Sequence, residues 1–179
     1  MDIRFAATRS ADSDTNVYAV MTNGLGLLPG AVADMAGAAG LARFAGECVT
    51  IVESYASIDG QARRVLLLGV GGANDADMEM AGAALTAKLL TSGAKQASVS
   101  FEAAGPVTAN GISRFALGAE LRSWRIDKYR TKLSEKQKPT LEIIELVSGA
   151  DCGAEWARLS AVAQGVRFAR ELVAEPANI

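Results

Sequence analysis

The chain has 179 residues, a formal net charge of −2 and no histidine. The lack of histidine excludes Ser-His-Asp and Cys-His nucleophile systems and any zinc site with histidine ligands. The near balance of 18 basic and 20 acidic residues gives no indication of a general polyanion binder. The length predicts one domain with a self-sufficient core. No apolar stretch approaches the roughly 18 to 20 residues of a membrane span, and residues 1–5 do not resemble a secretory signal. We therefore expect a cytoplasmic protein without membrane contact.

The first half of the chain alternates short apolar strands with glycine-containing turns. Strands are predicted at 3–7, 17–22 and 48–55, and a small-residue helix is predicted at 31–45 with Gly46 as its stop. Because little helix separates the early strands, we expect part of the sheet to be antiparallel.

The clearest strand covers 65–70, Val-Leu-Leu-Leu-Gly-Val, and it is apolar on both faces, as a strand covered by helices on both sides must be. Asn74 or Asp75 can cap the helix that follows. The carboxylate of Asp77, in the first turn, can interact favourably with the positive end of the helix dipole. Met78, Ala81, Leu85 and Leu89 recur in this helix at helical spacing.

The second half continues the alternation. We predict a strand at 96–101, a helix after Pro106, a strand at 141–147 and a final helix capped by Asp151. The final helix has an outer Arg167–Glu171 pair and a predicted core stripe formed by Leu159, Val162, Val166, Ala169 and Val173. This alternation predicts a three-layer α/β domain with a mixed sheet flanked by helices.

A glycine cluster, Gly69-Val70-Gly71-Gly72, lies between the apolar strand and the next helix. Backbone N–H groups of such a turn, together with a helix N-terminus, can hold a phosphate. However, the G-x-G-x-x-G spacing is not met, the P-loop lysine is absent, and Asp75 and Asp77 would repel an anion. The sequence therefore favours a tight strand-to-helix turn over a phosphate site.

Two other sets of residues were weighed as chemical sites. Asp75, Asp77 and Glu79 have the composition of a cation site but not the spacing of a calcium loop, so that helix-start charge is the favoured role. Cys48 and Cys152 lie far apart and have no base partner in the sequence. We expect both to be free thiols in a reducing compartment.

The segment 122–138 is basic and contains two aromatic side chains. Such a segment can bind nucleic acid through phosphate contacts and stacking. It can also be a long exposed connection that its aromatics anchor to the domain, which is the interpretation we favour. Its basic residues are Arg122, Arg125, Lys128, Arg130, Lys132, Lys136 and Lys138, and its aromatics are Trp124 and Tyr129.

Two stretches of this sequence resemble leucyl aminopeptidases of the M17, or cytosol aminopeptidase, family. The segment 117–132 resembles the family segment G-x-x-L-x-x-Y-x-F-D-x-Y-K-T-K. Its sequence is Leu-Gly-Ala-Glu-Leu-Arg-Ser-Trp-Arg-Ile-Asp-Lys-Tyr-Arg-Thr-Lys. The K-P-x-L that follows in the family is matched by Lys138-Pro139-Thr140-Leu141. Residues 161–178 are similar to the family's A-x-G-x-x-x-A-R-x-L-v-n-x-P-x-N, with matches at Gly165, Ala169, Arg170, Leu172, Pro176 and Asn178. The departures from these motifs are Trp124, Ile126 and Ala174.

The resemblance implies a macro-domain-like N-terminal α/β domain that precedes a C-terminal catalytic domain. In the catalytic domain, carboxylates and a lysine hold two divalent ions, zinc, manganese or magnesium, which activate water against the peptide carbonyl. No residue of this chain matches a catalytic, cofactor-binding or metal-binding motif of the family, so no such role is carried over. The resemblance also implies a homo-hexamer in the full-length protein, and some bacterial members bind DNA.

We therefore predict that residues 1–150 form the macro-like domain and that 151–179 form a long helix and linker leading to the catalytic domain. The full-length protein would remove N-terminal amino acids from peptides. This chain alone would be inactive and would support hexamer assembly and substrate access. The alternatives are a macro-like module that holds an ADP-ribose-type ligand at 69–72 and a DNA-binding module at 122–138.

Overall fold

The computed structural model describes residues 1–58 and 60–175. The strands are β1 (Asp2–Ala6), β2 (Thr15–Val20), β3 (Ile51–Ile58), β4 (Gln61–Gly69), β5 (Gln96–Ser100) and β6 (Ile143–Val147). The helices are α1 (Met35–Leu41), α2 (Asp75–Leu89), α3 (Ala109–Ser123) and α4 (Gly153–Ala174).

The strands form one mixed sheet in the order β1-β6-β5-β2-β4-β3. The pair β3–β4 is antiparallel, whereas the pairs β1–β6, β6–β5, β5–β2 and β2–β4 are parallel. The expected antiparallel portion is therefore present. It is the pair β3–β4, because β4 begins at Gln61, earlier than its apolar run suggests, and the two positions left after Ile58 are too few for the crossover that a parallel pair needs.

Segment 7–14 connects β1 to β2 without a helix and passes the ends of β6 and β5, which lie between these two strands in the sheet. The segment is held against the sheet by Glu145 of β6, whose carboxylate accepts hydrogen bonds from the Ser10 backbone N–H (2.9 Å) and from the Ser98 hydroxyl (2.6 Å). Asp14 at its end accepts from the backbone N–H of Lys95 at 2.8 Å.

The sheet is covered on both faces, as the side chains of β4 show. Leu66 and Leu68 belong to the core shared with α2 and α3, whereas Val65 and Leu67 belong to a second core that includes Val32 and Met35. The three-layer α/β prediction is confirmed, because successive strand residues point to opposite layers.

Two helices of the fold are joined by unusually close backbone contact. A Cβ atom on Gly82 of α2 would lie 2.0 Å from the Phe115 carbonyl oxygen, and one on Gly118 of α3 would lie 1.9 Å from that of Glu79. The α2–α3 layer therefore depends on glycine at both positions. The capping prediction for α2 holds for Asn74, whose side chain accepts from the N–H groups of Ala76 and Asp77.

The predicted helix at 31–45 is wrong in length. Regular helix covers only Met35–Leu41, preceded by a 3-10 turn at Gly30–Val32, and Arg43 already has a left-handed φ of 57°. Asp34 makes no capping hydrogen bond, and glycines at 37 and 40 each oppose helix by roughly 1 kcal/mol, so the segment lacks the local support for a longer helix.

The predicted core stripe of α4 is largely wrong. Leu159 and Ala163 are buried against Leu117 of α3, but Val162 and Val173 are exposed. Val162 lies off the side of the helix that buries Leu159 and Ala163, and Val173 lies in the second half of α4, where no described residue is buried. The Arg167–Glu171 pair is confirmed at 3.1 Å, and Asp151 accepts a hydrogen bond from the Gly153 N–H at 3.0 Å.

Candidate functional site

The glycine turn after β4 is filled by a carboxylate of the same chain. Asp77 Oδ2 accepts hydrogen bonds from the Gly72 backbone N–H at 2.9 Å and from Asn74 Nδ2 at 2.8 Å. Gly71 has a left-handed φ of 57°, and a Cβ atom there would lie 2.8 Å from the same carboxylate oxygen. A phosphate at this turn would have to displace Asp77, so the geometry favours the tight turn over an anion site.

The three acids near the start of α2 point to different partners. Asp77 turns back into the glycine turn, while Asp75 accepts from Asn110 Nδ2 at 2.7 Å. Glu79 lies 3.3 Å from the Arg114 guanidinium of α3. Asp75 and Glu79 therefore contact α3, whereas Asp77 holds the turn before α2, in agreement with the helix-start role and not with a shared cation.

Within residues 1–58 and 60–175, no three His, Cys, Asp or Glu side chains come together in a group that could hold a metal ion. A two-metal centre needs several carboxylate ligands around the ions. The described residues do not fit such a centre.

Both cysteines are free thiols. The pKa of Cys48 is raised by burial and by the neighbouring Asp77, and its Sγ donates to the Asp77 carbonyl oxygen at 3.4 Å. Burial also raises the pKa of Cys152. Because the thiolate is the reactive form, these environments disfavour a nucleophilic role.

The basic segment is tied to the domain by acidic partners. Arg125 lies 2.7 Å from Asp127, and Lys128 lies 2.8 Å from Glu175 just beyond α4. The Tyr129 hydroxyl also donates to Glu175. Glu175 has its pKa lowered by these hydrogen bonds, first by that from Lys128. These contacts support the anchored-connection interpretation.

A second contact fixes the start of this segment on α4. Arg170 Nη1 donates to the Leu121 carbonyl oxygen at 2.6 Å, and its guanidinium carbon lies 5.7 Å from the centre of the Trp124 ring. Sequence reasoning did not assign a role to Arg170 or Glu175, because their partners lie more than 40 positions away and no local pattern links them. The motif matches at Pro176 and Asn178 lie outside the described residues.

A cavity of about 240 Å³ lies at the carboxyl ends of β1, β5 and β6, where α/β sheets commonly bind ligands. Its lining includes the apolar side chains of Phe101, Val107 and Ile112 and the polar side chains of Glu102 and Ser148. The turn at 69–72 does not line it. The residues proposed for an ADP-ribose-type ligand therefore do not contribute to this cavity. The charge of Glu102 would also repel an anionic ligand.

No helix in the described ranges is long and apolar enough to cross a membrane.

This chain is similar in sequence to the N-terminal part of known aminopeptidases. The family model of the cytosol aminopeptidase family, N-terminal domain, matches residues 38–133, which is more than half of the chain. Probable cytosol aminopeptidases from Sinorhizobium medicae and Methylorubrum extorquens are 35% and 34% identical to it, over 83% and 81% of this chain. These alignments cover only 32% and 30% of the relatives, so the chain spans about a third of their length.

Solved structures show the same architecture. A mutant of tomato leucine aminopeptidase superposes with a TM-score of 0.75 at 21% identity, covering 99% of this chain and 39% of the other. The bottromycin maturation enzyme BotP, in a complex with Mn, superposes with a TM-score of 0.69 at 23% identity, covering 92% of this chain and 32% of the other.

The fold is thus the α/β fold of an aminopeptidase N-terminal domain. The chain belongs to the cytosol aminopeptidase family, and the part that the family model matches is that family's N-terminal domain.

Proposed function

We propose that this chain is the non-catalytic N-terminal domain of a metal-dependent leucyl aminopeptidase. The observation that carries the proposal is the match of residues 38–133 to the family's N-terminal domain, in a chain that spans about a third of its curated relatives. The separate partners of Asp75, Asp77 and Glu79 support it, since Asp75 and Glu79 contact α3 and Asp77 holds the glycine turn.

In this proposal, catalysis belongs to the two-thirds of the relatives that this chain does not match. That part would hold two divalent ions, zinc, manganese or magnesium, and would release N-terminal residues from peptides. The matched domain would support assembly of a homo-hexamer and shape substrate access. A cytosolic location belongs to the same proposal, because the relatives carry the name cytosol aminopeptidase.

We further propose the division into a domain body at 1–150 and a helix with linker at 151–179. Its support is that α4 begins at Gly153 and that, beyond Ala163, no described residue of α4 is buried. The body and the first turns of α4 therefore share a core, whereas the rest of α4 contacts the body only through partly buried or exposed side chains such as Arg170.

The test is hydrolysis of leucine-p-nitroanilide by the purified chain in the presence of Mn²⁺, Zn²⁺ or Mg²⁺. We expect no turnover above that of the metal alone, with the full-length Sinorhizobium medicae relative as the positive control. Metal-dependent turnover by this chain, abolished by a chelator, would overturn the division of labour.

A further inference from the structure

The cavity at the carboxyl ends of β1, β5 and β6 combines buried apolar side chains with polar groups. Its volume of about 240 Å³ lies below the roughly 300–1,000 Å³ of pockets that hold drug-sized ligands. The most buried side chains of its lining, Phe101 and Ile112, are 6% and 1% exposed, and the half-buried Val107 and Val147 add to the apolar surface. The cavity therefore suits a small ligand with a short aliphatic group.

The loop that follows β5 holds one wall of this cavity in place. The Phe101 ring packs edge-on against the Phe115 ring of α3, with the ring centres 5.4 Å apart. Gly105 has a φ of 73° and a ψ of −157°, a combination that essentially only glycine adopts. The Ala103 carbonyl oxygen accepts a hydrogen bond from the Met21 N–H at 3.0 Å. Because the wall is already ordered, a ligand does not have to meet the entropic cost of ordering it.

Two polar side chains lie at the cavity on different loops. Glu102 follows β5 and is exposed, and within residues 1–58 and 60–175 its carboxylate has no ion-pair or hydrogen-bond partner. Ser148 follows β6, and its hydroxyl oxygen accepts a hydrogen bond from the Ala150 N–H at 3.0 Å, so that the hydroxyl hydrogen can be donated to a ligand. The cavity thus offers an anionic acceptor and a neutral donor beside an apolar surface.

These three features match the three groups of an apolar α-amino acid. The ammonium group is attracted by the Glu102 carboxylate, and the neighbouring carbonyl or carboxylate oxygen accepts from the Ser148 hydroxyl. An aliphatic side chain contacts the buried apolar part of the lining. A ligand that is only anionic is repelled by Glu102, and a purely apolar ligand leaves both polar side chains without partners.

We propose that this cavity, which we call the β5–β6 cavity, binds an apolar α-amino acid, either free or as the first residue of a peptide. The inference goes beyond the proposed function, which concerns hydrolysis. Only the choice of leucine as the probe rests on that function, since a leucyl aminopeptidase releases this amino acid.

The experiment titrates four ligands into this chain at constant pH and ionic strength. The ligands are leucine, leucylglycine, 4-methylpentanoate, which is leucine without its ammonium group, and glycine, which lacks the apolar side chain. Backbone amide chemical shifts of Gly105 and Gly149, both in the lining, report binding. The variants are Glu102→Gln and Ser148→Ala. Glu142→Gln is the matched control, because it removes the same charge from an exposed position at the opposite end of β6.

We expect leucine or leucylglycine to bind with a Kd on the order of 1 mM, since so small a ligand makes few contacts. Glycine and 4-methylpentanoate should bind at least about tenfold more weakly, because each lacks one of the matched groups. Glu102→Gln should weaken binding by about fivefold, as loss of an exposed charge pair does, and Ser148→Ala should weaken it less. Glu142→Gln should leave the Kd unchanged. The tighter of the two ammonium ligands identifies the source, a free amino acid or a peptide.

Three results would overturn the inference. One is the absence of a shift of Gly105 and Gly149 with both leucine and leucylglycine at about ten times the expected Kd. The second is equal affinity for leucine and 4-methylpentanoate, and the third is an unchanged Kd in Glu102→Gln. Each leaves the proposed function standing, because hydrolysis is measured separately. Metal-dependent turnover by this chain would contradict that function and leave the binding result as measured.

Discussion

At the scale of single residues, the side chains at the start of α2 determine what the preceding glycine turn can bind. Asn74 accepts from the N–H groups of Ala76 and Asp77, both at 3.0 Å, and Asp77 in turn accepts from Gly72. The turn and the helix start are thereby joined in one hydrogen-bond network. Its donors are the ones that an anion would otherwise use.

Replacing Asn74 with alanine should lower the free energy of unfolding by about 1 kcal/mol, because a helix N-cap is lost. Urea denaturation followed by circular dichroism measures this effect. Asp34→Ala is the matched control, since Asp34 occupies the N-cap position of α1 without a capping hydrogen bond. Equal losses in the two variants would show that the Asn74 cap contributes nothing.

A second residue-scale prediction concerns Glu53 on β3. Its carboxylate lies 2.8 Å from both Lys88 and Arg64, and the hydrogen bond from Lys88 is the largest cause of its lowered pKa. A carboxyl whose pKa is lower in the folded than in the unfolded state stabilises the fold above its unfolded pKa, which is about 4.3 for glutamate. This contribution is lost as the pH falls through the folded pKa.

Glu53→Gln should therefore lower the free energy of unfolding by about 1 kcal/mol at neutral pH, and the difference from the wild type should vanish once the pH is well below about 4. Urea denaturation over a pH series measures this dependence. Glu142→Gln is the control, because Glu142 is exposed and has no ion pair among the described residues. A difference that stayed constant with pH would contradict the ion-pair explanation.

At the scale of elements, the helices α2, α3 and α4 are similar in composition but differ in packing. Helices α2 and α3 pack closely on each other, whereas α4 is only partly covered. All three contain glycine and alanine, but only the glycines between α2 and α3 meet backbone atoms. A Cβ atom added to Gly118 would lie 1.9 Å from a backbone carbonyl oxygen, whereas one added to Gly165 of α4 would have no neighbour within 4 Å.

The prediction for these elements is that Gly118→Ala and Gly165→Ala change stability in opposite directions. Gly118→Ala should lower the free energy of unfolding by about 2 kcal/mol or more, because the helices must separate. Gly165→Ala should raise it by about 0.5–1 kcal/mol through helix propensity. Thermal and urea denaturation of both variants test this, and stabilisation by Gly118→Ala would disprove the close contact.

At the scale of the whole molecule, acidic residues neutralise part of the basic segment, and the net charge of the chain is −2. Asp127 and Glu175 each contact two members of the segment. Binding a polyanion through Arg125, Lys128 or Arg130 would compete with these contacts, and the net negative charge would oppose it.

We therefore expect no mobility shift of double-stranded DNA by this chain, even at low salt. Electrophoretic mobility assays over a salt series test this expectation, with a basic DNA-binding domain as the positive control. A shift that disappears at moderate salt would instead show that the segment 122–138 makes phosphate contacts.

The sequence by itself determined the elements whose signals are local. The apolar run at 65–70, the cap at Asn74 and the Arg167–Glu171 pair are each specified within a few residues, and the motifs from 117 onward indicated the family. The tertiary structure alone decided four further properties. It placed Glu175 against Lys128 and Asp77 in the glycine turn, it put the antiparallel pair at β3–β4, and it left most of the apolar stripe of α4 exposed. The physical reason is that helical spacing shows that a helix has an apolar face, but only the lengths and positions of the neighbouring elements determine how much of that face is buried.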